Sequence, residues 1–478
     1  MVPEHIRKIP RPKNTVVLPS KTGNSYPVLK RIGCKYDNGR RLPISGKVIG
    51  HIIDCVYVEK DSTKKKLSQR DPHLLKYGNI AFADSVGKNL YTSLLEFFHP
   101  DDAKSIYTLA LLRTAFEDVK DYQVEDKYDK SWASILYPNV SLSKSTISNL
   151  LENIGMSYDL VVSFMKKRLD ETIGSGTKIL IDGMLKNNSS IVNSFSAFSY
   201  KGRIKGTKDI SILAAIDSEK KEPLCIKVYP GNLPDHSNTE DFIREFNIKE
   251  GMVITDKGFP LENVSEEFKN KSVGYLHPIK RNSSIIDTLN LYGSMFPLKS
   301  EEGTIMCSTA KDEKTNRYYY LFRDSWRASK EEKDFISNKN PKKFDSNDYA
   351  DRRKKFGTIC FVSNMKLQPA DVYAYYELRW NIELVFRMYK GILSMNTTRV
   401  HDDWSVIGTE FVNYLSTIMT CRMKNKIQEK DLFKTYTFKD IMERLADVLK
   451  TSSDENRKEW KTCSLSDKDD SLLAILCV

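Results

Sequence analysis

Long apolar runs are missing. Nowhere do about 18 apolar residues follow one another, which excludes a readable membrane-spanning helix. The opening "MVPEHIRKIPRPKNT" lacks the apolar core of a signal peptide, so a soluble, cytoplasmic protein with no membrane partner is expected. The 8 cysteines contain no C-x-x-C pair, which argues against a zinc knuckle or a disulfide framework and for a reducing compartment. No internal repeat occurs, so a solenoid is not expected. Acidic residues are scarce at one end. Residues 1 to 70 hold 5 Asp plus Glu against 16 Lys plus Arg, a surplus of 11 that nearly accounts for the whole chain's +12. Such a segment suits a polyphosphate backbone, through counterion release.

What is present is enough for several domains. The chain has 478 residues, 40% of them hydrophobic, which suffices for a substantial core. Five prolines among basic residues in the first 30 predict an extended arm with neither helix nor central strand. Short β-like runs follow, "KVIGHIIDCVYV" among them. From about 74 to 170 the pattern is helical. In "LSKSTISNLLENIG", Ile147, Leu150, Leu151 and Ile154 keep helical spacing, with Ser143 or Ser145 as N-cap and Gly155 as stop. This is compatible with the second helix of a helix-turn-helix, and equally with a helix pair in a core; exposed Lys144 and Asn149 would then read bases.

After "DETIGSGT" strands dominate. "KILIDGML" is an apolar run broken by Asp182, which reads as the end of its strand. "SSIVNSFSAFSY", "ISILAAIDS" and "PLCIKVYPGN" follow, then a helical "SNTEDFIREFNI" and the strand "GMVITDKGF", which ends in Asp256. Strands succeeded by alternating helix and strand describe a mixed α/β sheet. Between 286 and 356 comes a hairpin-like pair, "GTIMCST" and "RYYYLFRD", and then a highly charged run. "TICFVS" resumes the core, and Pro369 suits the first turn of the next helix.

That helix, "YYELRWNIELVFRMYK", places Tyr376, Arg379, Glu383 and Lys390 at offsets that fall within about 60° of one another on one helical face. Glu383 lies among apolar neighbours, so it is either a salt-bridge member or a site residue. An acid there is costly unless neutralised, and a metal ion is one suitable partner. Two strand aspartates and one helix glutamate supply the hard oxygen donors that hold a pair of Mg2+ ions for phosphoryl transfer, with Arg379 and Lys390 for phosphates.

These residues resemble a known family. Tyr376, Arg379, Glu383 and Lys390, with Trp380 after the arginine, match the tyrosine-arginine-glutamate-lysine signature of one branch of bacterial insertion-sequence transposases of the DDE type. The resemblance covers about residues 176 to 400. It implies a ribonuclease-H-like α/β core with a largely β insertion, which fits the 126 residues between Asp256 and Glu383. It further implies Asp182, Asp256 and Glu383 as catalytic metal ligands for two Mg2+ ions, replaceable by Mn2+. Tyr376, Arg379 and Lys390 would contact the transposon end.

The domains expected on this basis are a basic DNA-binding arm with a small β region at 1–70, a helical DNA-binding region at 71–175, core at 176–285, insertion at 286–356, core with the Glu helix at 357–400, and a helical region at 401–478 that could serve dimerisation. The partners implied are double-stranded DNA, both transposon ends and target, and a second copy of the chain when ends are paired; the location implied is a prokaryotic nucleoid. Family members commonly release ends as hairpins, which requires an extruded base. Trp326, flanked by Arg323 and Arg327, is the candidate stacking platform, unless it packs in a small core of the insertion. A transposase-derived protein that binds DNA without cutting, and a different ribonuclease-H-like nuclease, are the alternatives.

Overall fold

A computed structural model describes residues 2–20, 23–37, 40–59, 73–188, 190–199, 206–233, 235–256, 272–298, 305–339, 344–390, 397–398, 400–452, 459–463 and 465–476. The chain divides into two compact units, Met1–Leu74 with Lys450–Thr462, and Leu75–Leu449 with Cys463–Val478.

The first unit is built on an antiparallel meander of Thr15–Val17, Ser25–Asp37, Arg40–Ile53 and Val56–Glu59, in that order. The proline-rich start departs from the sequence expectation in two ways. Glu4–Arg7 forms one helical turn, which buries Ile6 with Val2, Val28 and Ile52. Ser25–Asp37 is an interior strand although it contains Pro27. The short edge strand stops at Val17, opposite Val28, and the Pro27 carbonyl accepts a bond from the Leu18 N–H just past that end. The donor that proline lacks would therefore have pointed beyond the ladder.

The second unit combines helices with a ten-stranded mixed sheet. Across the sheet run Phe296–Pro297, Ile305–Asp312, Arg317–Asp324, Thr358–Ser363, Ser272–Ile279, Glu250–Thr255, Lys178–Asn187, Lys208–Asp217 and Ala197–Phe198, while Glu222–Pro230 also pairs with Lys208–Asp217. The hairpin read from "GTIMCST" and "RYYYLFRD" forms as expected, and it continues the same sheet through Thr358–Ser363. The charged run after it folds as two helices, Ser325–Ser337 and Ser346–Arg353. "SSIVNSFSAFSY" contributes only the two-residue strand Ala197–Phe198.

Alternation along the strands divides the sheet into two faces. Ile179, Ile181, Leu213, Ala215 and Val253 join one core, which also takes in the helical bundle. Leu180, Ala214, Ile216, Met252 and Ile254 join a second core with Ile382, Val385 and Met388 of the helix Arg379–Lys390. Gly78–Leu94, Pro100–Ala115, Lys144–Met156 and Tyr158–Thr172 supply the bundle around the long helix Asp403–Glu429. Ser143 caps Lys144–Met156 as the sequence predicted, accepting from the Thr146 N–H.

Gly155 is not the stop. It lies inside the helix where a Cβ would come within 1.9 Å of the Trp404 carbonyl, and Gly408 meets the Leu151 carbonyl at the same 1.9 Å. The two backbones touch there, which only glycine allows. Asp403–Glu429 is buried along most of its length. No described helix is long and apolar enough to cross a membrane.

One ion cluster anchors the helix Ser325–Ser337. Glu331 accepts from Arg281 at 2.7 and 2.9 Å, from Arg327 at 2.9 Å and from the Gly357 N–H at 2.9 Å. Burial pushes this carboxyl up, yet those donors outweigh it and hold the pKa at about 2. A depressed folded pKa stabilises above the ordinary value of 4.5, and the contribution disappears as pH falls through about 2. Glu331→Gln is expected to cost about 1.5–3 kcal/mol at neutral pH in denaturant titrations, with the gap to wild type narrowing steadily in acid.

Candidate active site

Asp182 does not end its strand. Lys178–Asn187 runs on past it, because its antiparallel partner pairs as far as Asn187 opposite Asp209. Its parallel neighbour stops earlier, with Thr255 opposite Ile181. Asp182 therefore stands at the point where one side of its strand loses a partner. Asp256, the next residue after Thr255, continues the same register, so the two aspartates occupy adjacent positions about 4.8 Å apart in backbone spacing. Both share the alternation phase of Leu180 and Ile254, and thus the face covered by Ile382 and Val385 of the Glu383 helix. One Asp182 carboxylate oxygen accepts from the Gly183 N–H at 2.8 Å.

The signature helix is two helices. Pro369–Glu377, with Pro369 in its first turn as expected, meets Arg379–Lys390 at Leu378. Tyr376 thus belongs to the first segment, and the single stripe of four residues is broken beneath it. Its ring packs on Phe361 with centroids 4.9 Å apart, and the Arg379 guanidinium lies 5.5 Å from the ring centre. Arg379 in turn pairs with Asp256 at 2.9 Å and approaches Glu383 at 3.8 Å. Glu383 is therefore not unneutralised in this structure. Tyr376, Arg379, Asp256 and Glu383 come together, and Asp182 joins them through strand register.

Lys390 stands apart from that group, at the other end of its helix. It acts electrostatically on Asp209, whose carboxyl burial pushes up and Lys390 pulls down. Trp326 is on a different element, the first turn of Ser325–Ser337, where Asp324 caps the helix. It is 73% exposed, so it does not pack in a core of the insertion, and the Lys330 ammonium lies 5.9 Å from its ring. Lys144 and Asn149 are exposed on the outer side of their helix.

The sequence reading missed a buried cluster beneath this site. Lys186, four residues beyond Asp182 on the same face, pairs with Glu410 at 2.5 Å. Tyr389, on the Glu383 helix, donates to Glu410 and receives from Lys186 at 3.3 Å, and Asn413 reaches the Tyr389 hydroxyl at 3.3 Å. Burial pushes the Lys186 pKa down, opposed by Glu410. The available signal was period two: past Lys178 at the strand's start, Asp182 and Lys186 are polar residues in phase with apolar Leu180 and Met184.

The donors suit a hard divalent cation, since all three acids offer oxygen and no sulfur or imidazole is near in the signature. Among the described residues, however, no three His, Cys, Asp or Glu side chains converge closely enough to hold an ion, and Arg379 occupies the space between two of the acids.

Comparison with known proteins bears on this region. The solved structures similar to the chain include a piggyBac transposase synaptic complex with hairpin DNA, determined by cryo-electron microscopy, at 11% identity and a TM-score of 0.41, over 79% of this chain and 82% of that one. No curated protein matches. A protein-family model described as "Transposase DDE domain" matches residues 182–407. That match covers a little under half of the chain, opens on Asp182 and takes in Asp256 and Glu383, so this stretch is similar to a transposase DDE domain.

Proposed function

We propose that the chain is a DNA transposase that binds the terminal inverted repeats of an insertion sequence, cleaves at their ends and joins them to target DNA. The observation that carries this reading is the register of Asp182 beside Asp256 under the Glu383 helix, inside the matched domain. A rigid sheet suits the positioning of two aspartates, and the helix packed on that face carries the third acid of the proposed site. With divalent ions such as Mg2+ held by these three acids, the site would gain charge stabilisation for the attacking and leaving oxygens of an in-line phosphoryl transfer.

The chain's own residues do the rest. Arg379 neutralises Asp256 and Glu383 when no other cation is there, and its guanidinium suits a DNA phosphate once released from them. Tyr376 holds that guanidinium over its ring. Lys390, at the far end of the helix, would meet a second phosphate in this reading. Paired ends require two such sites, and hence two copies of the chain.

Incubating the purified full-length protein with end-bearing DNA and magnesium tests this. Cleavage followed by strand transfer is expected. End binding without cleavage would favour the non-cutting DNA-binding protein, and cleavage without transfer would favour another nuclease.

The exposure of Trp326 supports its role as a stacking platform for an extruded base at the hairpin step. Trp326→Ala is expected to leave melting unchanged and first-strand nicking intact, while hairpin and double-strand products fall about tenfold, in line with about 1–3 kcal/mol per stacked base. Normal hairpin yield would remove it from the site.

A further inference from the structure

Behind the Glu383 helix lies a second concavity that the proposed chemistry does not use. It holds about 560 Å3 between the helix Arg379–Lys390, the end of Pro100–Ala115, Lys424 and the start of Phe438–Asp447. Leu384, Met388, Phe438 and Met442 make its wall largely apolar. That volume is typical of small-molecule sites, and methionines adapt to bodies of varied shape.

The charges in it are not balanced. Arg113 is answered by Asp121 at 2.9 Å, and Lys439 lies 3.8 Å from both Glu117 and Glu443. Arg387 and Lys424 have no carboxylate partner among the described residues. Burial pushes the Lys424 pKa down, Cys421 pulls it up, and the like charges of Arg387 and Lys221 push it down again. Lys424 is half-buried and Arg387 stands exposed at the rim, so the cost of a cation without a counterion falls on Lys424, and an arriving anion relieves it. A DNA backbone is met by cations on open polar ground, whereas these sit in an apolar hollow.

We propose that this cavity binds a small amphipathic anion, an acyl or aryl group with one carboxylate, sulfonate or phosphate. Its charge lies beside Arg387 and Lys424, and its body lies against Leu384, Met388, Phe438 and Met442. Three of these residues, Leu384, Arg387 and Met388, belong to the helix that carries Glu383, so occupancy bears directly on that helix.

The test uses the full-length protein without DNA, titrated with anilinonaphthalene sulfonate by fluorescence and competed with decanoate or inorganic phosphate. Saturable binding at one site is expected, displaced by decanoate and not by phosphate at the same concentration. Arg387→Gln with Lys424→Gln should weaken it about tenfold or more. The double variant should melt no lower than wild type, since neither cation has a partner to lose. Ala446→Trp, which fills the cavity and leaves both charges, should abolish binding. The proposal is overturned if no saturable binding occurs, if either variant binds as wild type does, or if phosphate displaces the probe as well as decanoate does.

Discussion

Asp182→Asn, Asp256→Asn and Glu383→Gln are each expected to reduce magnesium-dependent cleavage of end-bearing DNA about a thousandfold or more, with end binding nearly intact. Each substitution keeps the shape and removes the charge of one ligand. The loss corresponds to several kcal/mol of transition-state stabilisation. Folding should survive, because Asp256 and Glu383 are 40% and 37% exposed and their pairing with Arg379 is worth little in stability. Single-turnover cleavage on a gel, beside thermal melting of each variant, separates the two effects. A variant that cuts at near wild-type rate would remove its residue from the triad.

The second large effect concerns stability. Lys186→Met leaves the Glu410 carboxylate 1% exposed with its one cationic partner among the described residues gone. A buried charge stripped of its partner costs about 3–5 kcal/mol, a large part of the margin by which a domain is folded. Chemical denaturation should show the loss. Adding Glu410→Leu should restore most of it, since replacing both members of a buried pair by apolar residues is often neutral. If Lys186→Met were as stable as wild type, the pair would not be what joins the Asp182 strand to the Tyr389 end of the Glu383 helix.

How much of this was readable beforehand varies with the physics involved. Local periodicity carried the helix 144–156 and its Ser143 cap, the hairpin of 305–324, the strand Thr358–Ser363 and the Pro369 start, because each depends on side chains a few positions apart. The three acids were legible as candidates from type and context. Their arrangement was not. Asp182 looked like a strand end because polarity interrupts an apolar run, whereas the strand continues by pairing with residues some 30 positions later in sequence. The break at Leu378 has no signal in a sequence free of proline and glycine there. Arg379 bridging Asp256 and Glu383, and Lys186 meeting Glu410, join residues more than a hundred positions apart. The interior strand through Pro27 was misjudged because the composition rule ignores where a short neighbouring strand ends.

The single sheet also acts as a ruler. Carried one residue past its last pairs, the register leads from Asp182 to Asp256 and on to Pro278, and the pairings Pro278 with Phe361 and Phe361 with Tyr320 bring it to the strand that leads into the Trp326 helix. Four strand-to-strand steps of about 4.8 Å make this a span of about 19 Å, fixed by hydrogen bonds and not by loop length. Two points on a nucleic acid gripped at those ends would be held apart by the same amount in every turnover, so the distance belongs to the sheet, and only a change in the number of strands between them could reset it.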